Sequence, residues 1–386
     1  MKKTKRPLNT WAFLGIYLAI LAVFAGVYAL TKAINKPVPI VGTGSYTPGT
    51  YTGVGAGRNG DITVAVTINE NTIQAIQIIH HDETPGISDG AIADIPAAIV
   101  ATQSLGVDSV SGATVSSEGI VAAVADAIAK AGGDVEALKN VAIAAGEHSS
   151  KELTADVVVV GGGGAGMTAA VRLAEQGKHV ILFEKASFLG GAISVSGGNQ
   201  VIMGSKLQAE NGVTDDSVES MVADFQANGA NKNNEEILTL FAENVGSATD
   251  WLVEHCGVGF AEGLHQLGEY THNRELAYTG GGAGFAETMR KAVADSGAEV
   301  YLSTKVESLI TDDNGAVVGV KAVSTDGNTD YTVSAANVIL ATGGYGNNKE
   351  MLTDEMKSAL YYGPATSTGE GIQMAQAVGA QTANME

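Results

Sequence analysis

The chain has 386 residues, 50 of them glycine and one of them cysteine, and its 42 acidic against 22 basic residues leave a formal net charge of -20. A single cysteine, Cys256, cannot supply a thiolate metal cluster, a c-type haem attachment or an intramolecular disulfide. Such acidity argues against nucleic acid as the main partner, and the length suggests two domains, each with its own core.

The charge is segregated. Residues 1–40 hold Lys2, Lys3, Lys5, Arg6, Lys32 and Lys36 and no acid, so the remainder sets 16 basic against 42 acidic residues. Between those basic clusters Trp11 to Leu30 carries no charge. Twenty helical residues span about 30 Å, the thickness of a bilayer core. The pattern predicts an N-terminal transmembrane anchor with its basic end in the cytoplasm and the acidic bulk outside. A signal peptide cleaved after Val27-Tyr28-Ala29 is the rival reading, with a secreted or periplasmic product.

After a Gly/Pro/Thr-rich linker, DITVAVTI places Ile62, Val64, Val66 and Ile68 on one strand face by alternation, and TIQAIQII reads as the next strand. A helix follows, with Ile120, Val121, Val124 and Ile128 on one face. Ser116 or Ser117 is expected to cap it, and Gly132-Gly133 to end it. The run His80-His81-Asp82-Glu83 alternates faces on an extended chain, so no metal is expected there. Before the helix lies Asp108-Ser-Val-Ser-Gly-Ala-Thr114. It reads as a Ser/Thr-rich capping loop, or as a site where a phosphate on Thr114 meets a helix N-terminus.

From Ala155 the order strand, glycine turn, helix, strand predicts a βαβ unit. The spacing GxGxxG occurs twice, and context separates the two. Gly55-Gly57-Gly60 runs into a strand, which offers no helix N-terminus to a pyrophosphate. Gly161-Gly163-Gly166 lies between the strand ending VVVV and a helix, and Glu184 closes the next strand. There Gly161 permits the turn, Gly163 admits the pyrophosphate, Gly166 packs helix on strand, and Glu184 accepts from ribose hydroxyls. A dinucleotide is implied, NAD or FAD. The small-residue loop KASFLGGAISVSGG and the late strand ending Ala341-Thr342-Gly343-Gly344 favour FAD.

These residues carry a resemblance. On GTYTG, HDETPGI and DSVSGATVSS, residues 49–131 resemble the domain in which FMN is bound covalently through a threonine phosphoester. On VVVVGGGGAG, LFEK, the GG…SGG loop, TGGGAG, VILATGGYG and TGEGIQMAQAVGA, residues 153–386 resemble the FAD-binding part of the fumarate reductase/succinate dehydrogenase-type flavoproteins. Glu370 stands where that family more often has aspartate. The resemblance implies FMN on Thr114, with Ser111, Gly112, Ala113, Glu83, Thr84, Pro85 and Gly86 around it. It implies non-covalent FAD at Gly161, Gly163, Gly164, Ala165, Gly166, Glu184, Lys185, Gly190, Gly191, Ser196, Gly197, Gly198, Val306, Ala341, Thr342 and Gly343.

The expected fold class is therefore α/β. A basic N-terminus with its transmembrane helix or signal (1–31) and a linker (32–44) precede a small α+β FMN-binding domain (45–133). A second linker (134–152) leads to a Rossmann-like FAD-binding domain (153–386), expected to be incomplete. The order of modules is similar to the exported fumarate/urocanate reductase-like family. That likeness implies electron flow from FMN to FAD to the C=C bond of a small unsaturated carboxylate. Implied partners are the lipid bilayer, a flavin transferase and a quinol-linked or flavoprotein electron donor. The family's capping domain and catalytic His/Arg set would lie beyond Glu386, so no catalytic residue is assigned. Arg274 and His272 receive no catalytic role, and a surface or FAD-side place is expected for them. A non-catalytic electron-carrier module and an NAD-linked dehydrogenase are the alternatives.

Overall fold

The structure, a computed structural model, describes residues 45–143, 147–265, 268, 270–383 and 385. Strands β1 (Gly49–Ala56), β2 (Asp61–Ile68) and β3 (Ile73–His80) form an antiparallel sheet in that order. Its inner face carries Ile62, Val64, Val66 and Ile68, all buried. Helices α1 (Asp89–Thr102) and α2 (Thr114–Lys130) cover that face, with the short α3 (Val135–Lys139) beside them. Ile120, Val124 and Ile128 of α2 are fully buried in this core, and Val121 is half-buried against it. Strand β1 approaches α2 closely enough that a Cβ on Gly53 would overlap the carbonyl oxygen of Ala123, and one on Gly55 that of Gly119. Glycine alone tolerates that approach. The first GxGxxG spacing thus serves packing.

Helix α2 starts earlier than its sequence suggests. It opens at Thr114 behind Ala113, with no side-chain cap. Ser116 and Ser117, expected as caps, lie buried inside the first turn. Ser117 Oγ donates to the Ala113 carbonyl (3.0 Å) and accepts from the Val110 amide (3.0 Å).

The second unit is built on β4 (Ser149–Val160), which passes through a glycine turn into α4 (Gly164–Glu175) and returns as β5 (Val180–Phe183). A ribbon of β6 (Asn199–Val201) and β7 (Glu275–Ala277) flanks helices α5 (Lys206–Glu210), α6 (Val218–Asn228) and α7 (Glu235–Cys256). Helix α8 (Gly281–Ser296) leads to β8 (Glu299–Tyr301), β9 (Thr304–Thr311), β10 (Val317–Ser324), β11 (Thr329–Leu340) and α9 (Glu370–Ala377). The main sheet has the order β8-β5-β4-β11-β10-β9. Its first four strands are parallel, and β10 is antiparallel to both neighbours. Both faces are covered. Val157 and Val159 of β4 enter a core with Met167, Val171 and Met289, whereas Val158 and Val160 face Val306, Val320 and Val333. A run of four valines suits a strand with no solvent face.

Two expectations about architecture are corrected. The described chain is a mixed α/β fold, and among the described residues no helix is long and apolar enough to cross a membrane. The expected transmembrane helix is thus not found among the described residues, and residues 11–30, on which it falls, lie outside them. The expected linker 134–152 is also shorter. It contains α3, and β4 begins at Ser149 because Ser149 pairs with Thr329 of β11.

Candidate active site: a dinucleotide cleft and a second module at its edge

A cavity of about 530 Å³ opens at the carboxyl ends of β4, β5 and β11, where ligands bind in open α/β sheets. Its geometry follows from the glycines. Gly161 takes a left-handed φ of +102°, and a Cβ there would overlap Ala341 O. A Cβ on Gly166 would overlap the carbonyl oxygen of Gly161. Gly163 is the reverse, with nothing within 4 Å of a Cβ placed on it. The first and third glycines therefore permit packing, and the middle one leaves the approach to the α4 N-terminus open. Unpaired amides and the helix dipole favour a pyrophosphate there.

Glu184 is buried at the end of β5 and lines the cavity. Its two oxygens accept the amides of Gly162 and Ala186, each at 2.7 Å. Burial raises its pKa, and those backbone hydrogen bonds offset the rise only in part. Each carboxylate oxygen has a further lone pair, so ribose hydroxyls still find acceptors. Lys185 pairs with Glu370 (2.9 Å) and donates to Thr368 Oγ1 (2.7 Å), which joins β5 to the start of α9. For Glu370, burial acts to raise the pKa, but the bonds from Thr368 and Lys185 outweigh it, and the net shift is downward.

Of the residues expected at FAD, Gly161, Gly163, Gly164, Ala165, Glu184, Lys185, Val306, Ala341, Thr342 and Gly343 line the cavity. Gly166 packs beneath it. Gly190 donates to Gly162 O (2.8 Å), and Gly191 lies against Gly163. Ser196, Gly197 and Gly198 sit apart from the cavity, against the N-terminus of α8. Sequence reasoning missed Thr304, Lys305 and Ser367, which also line it. Arg274 is corrected most. It is fully buried away from this cavity, with Nε and Nη2 on the two oxygens of Asp216 (2.7 and 2.6 Å) and Nη1 on Asp224 (2.5 Å). His272 lies beside that network, its Nδ1 3.2 Å from Ser220 Oγ.

In the first module Thr114 is exposed as the first residue of the 17-residue α2. Ser111, Gly112 and Ala113 lead into it, with Gly112 at φ +86°. Glu83 is buried, with one oxygen accepting the Asn59 amide (2.9 Å) and the other the Ser116 hydroxyl. It ties the β1–β2 turn to the start of α2. Thr84 and Pro85 continue into Gly86, whose amide donates to Asp89 (3.0 Å). This ETPG turn and the loop before Thr114 both touch the second unit. Ser187 donates its amide to Ser111 O (3.2 Å), and Gly86 faces the Arg290 guanidinium.

A strand–glycine turn–helix with an acidic residue closing the next strand, above a cavity of this kind, defines a dinucleotide-binding protein. The chain belongs to the FAD binding domain family, whose model matches residues 156–386, and an FMN-binding domain matches residues 57–129. FAD and FMN are thus its cofactors. It is similar to urocanate reductase of Eggerthella lenta, 34% identical over 343 residues, covering 87% of this chain and 56% of that one. It is also similar to NADH:acrylate oxidoreductase of Vibrio harveyi, 30% identical over 410 residues, covering 88% and 40%. Among solved structures it matches the open conformation of a flavocytochrome c3 fumarate reductase. There the identity is 34% and the TM-score 0.56, over 59% of this chain and 41% of that one. The chain spans about half the length of the curated relatives it matches.

Proposed function

We propose that this chain takes electrons at an FMN attached to Thr114 and passes them through FAD to the C=C bond of a small unsaturated carboxylate. Urocanate, acrylate and fumarate, named in the relatives, define the substrate class. The observation that carries the reading is that two flavin modules meet within one chain, with the loop before Thr114 touching the loop after Glu184. The chemistry supplied by the bound flavins is two-electron transfer, which takes C=C to CH–CH.

The chain's own residues bind and orient. Thr114 presents an exposed hydroxyl where free amides of α2 meet a flavin phosphate, and a flavin transferase can reach it. Gly163 and the α4 N-terminus hold the FAD pyrophosphate, and Glu184 accepts from its ribose. The basic, then uncharged, N-terminal sequence supports export, which puts the acidic bulk outside the cytoplasm. Nicotinamide is scarce there, so an external quinol-linked or flavoprotein donor supplies the electrons.

The test uses the whole protein with a reduced viologen dye against a panel of enoates. Dye oxidation with at least one of them is expected, and no turnover of any enoate would sink the reading. Independently, Thr114→Ala is expected to abolish flavin fluorescence in a denaturing gel. A band that keeps its fluorescence refutes Thr114 as the attachment point.

A further inference from the structure

The loop Ala186–Gly190 has no part in lining the dinucleotide cavity, yet it is fixed at every step. The Ala186 amide donates to Glu184 Oε1 (2.7 Å), and its carbonyl accepts the Ser303 amide (2.9 Å). The Leu189 carbonyl accepts Arg290 Nη1 (2.8 Å), and the Gly190 amide donates to Gly162 O (2.8 Å). One end is therefore held by the acid that faces the nucleotide, and the other by the glycine turn beneath the pyrophosphate.

The outer side of this loop meets the first module at three places. Ser187 donates its amide to Ser111 O (3.2 Å). A Cβ on Gly112 would stand 2.8 Å from the Phe188 ring and 3.3 Å from the Ala186 methyl. A Cβ on Gly90, in the first turn of α1, would stand 2.9 Å from Ser187 Oγ. Arg290 of α8 completes the contact, because a Cβ on Gly86 would lie 2.8 Å from its Nη2. One guanidinium thus touches the ETPG turn with one arm and holds Leu189 with another. Glycines at 86, 90 and 112 leave room for the side chains of Arg290, Ser187 and Phe188, and Gly86 and Gly112 also hold left-handed φ values of +76° and +86°.

We propose that the loop Ala186–Gly190 together with Arg290 is a built-in seat that docks the Thr114-bearing loop against the FAD domain, with Arg290 as a positioning residue for flavin-to-flavin electron transfer. The proposal rests on the two-flavin reading above and deepens it. Per turnover two electrons cross the seat: reduced FMN becomes oxidised, FAD becomes reduced, and the two accompanying protons exchange with solvent. Nothing in the seat is consumed. Its task is to hold the gap between the flavins, which a loose supporting shell would let vary.

The test has two arms. In the first, Ser111→Cys and Ser187→Cys are combined. Ser187 reaches Ser111 O with both its amide (3.2 Å) and its Oγ (3.4 Å), which brings the two residues together as a disulfide requires, and the native cysteine is buried. Oxidation is expected to give a 111–187 cross-link detectable by peptide mass, with or without flavin; no cross-link overturns the seat. In the second arm, the holoprotein is mixed with a reductant that loads FMN first, and FAD reduction is followed by stopped-flow absorbance. Arg290→Ala is expected to slow that phase several-fold, with flavin content unchanged and Arg290→Lys restoring much of the rate. Phe188→Ala serves if Arg290→Ala does not fold. A wild-type rate in these variants overturns the positioning role. A cross-linking protein that takes up neither flavin instead fails the two-flavin reading and leaves the seat standing.

Discussion

At Gly163 and Gly166 two residues of one type, three positions apart, do opposite things. A Cβ on Gly166 would overlap Gly161 O, whereas around Gly163 there is open space. Gly166→Ala should therefore cost stability, about 1–3 kcal/mol of overpacking, seen as a lower denaturant midpoint. Gly163→Ala should fold normally and weaken FAD by about tenfold, the equivalent of one misplaced phosphate hydrogen bond at about 1.4 kcal/mol. Equal loss of stability in both would contradict the assignment. Glu184 gives a pH dependence with a definite sign. Burial raises its pKa, so its protonated form favours the folded apoprotein at low pH, and that contribution is lost as pH rises through the raised value. FAD follows the opposite sense, because a protonated Glu184 accepts fewer ribose bonds. FAD affinity should fall on acidification before exposed glutamates titrate, and Glu184→Gln should remove that dependence in a fluorescence titration. Cys256 is a contrast. Burial, helped by the charge of Glu175, pushes its thiol up to about 11, so it is a packing residue without reactive character.

At the scale of elements, Arg274 binds α6 and the loop before it to the start of β7. Its guanidinium is fully buried on Asp216 and Asp224, with Ser220 at 3.0 Å. Burial would raise the pKa of both aspartates, but for Asp224 the bonds from Thr271 and Arg274, and for Asp216 those from Arg274 and Gln208, together with the charge of Arg274, outweigh it, and the net shift is downward. With lowered pKa values, their stabilising contribution is present above the ordinary aspartate range and is lost as pH falls through the lowered values. Thermal stability should drop across that acid range. Arg274→Met, which strands two buried carboxylates, should cost about 3–5 kcal/mol and remove this loss of stability on acidification, because an unpaired buried carboxylate gains from protonation; a melt unchanged at neutral pH would refute it. Nothing local in THNREL announced such a role, since both partners come from 50 and 58 residues upstream. The same distinction runs through the fold. The alternation of Ile62 to Ile68, the valine run and the fingerprint glycines were legible because their reasons are steric and local. The start of β4 at Ser149 was not, because its partner Thr329 lies 180 residues on. The α2 start was misplaced because buried serines resemble caps. Lys305 and Thr304 reach the cavity only through the strand order of the sheet, and Arg290 reaches the ETPG turn only through the way the two units meet.

For the whole molecule, the question is whether two cores behave as one. The first core closes on itself, from Tyr46 to Leu138, and shares no buried residue with the two cores around the main sheet. Among the described residues, the contact between the units includes the Ser187–Ser111 bonds, glycine contacts at 86, 90 and 112, and Arg290. With no buried residue shared between the cores, the contact resembles an inter-domain interface more than a shared core. It can set the distance between two sites without adding much to the stability of either unit. Two thermal transitions are therefore expected, and FAD should move only one. At about 100 times its dissociation constant a ligand adds about 2.7 kcal/mol, and 1 kcal/mol shifts a unit of 150–250 residues by about 2–4 °C. Added FAD should raise the transition of the larger unit by about 5–10 °C. The smaller unit should follow only its own flavin and stay put in Gly166→Ala. Differential scanning calorimetry of the chain, with and without FAD, separates the cases. A single transition that shifts as a whole would mean that the contact carries enough energy to fuse the cores, and the seat would then be a structural interface first and a spacer second.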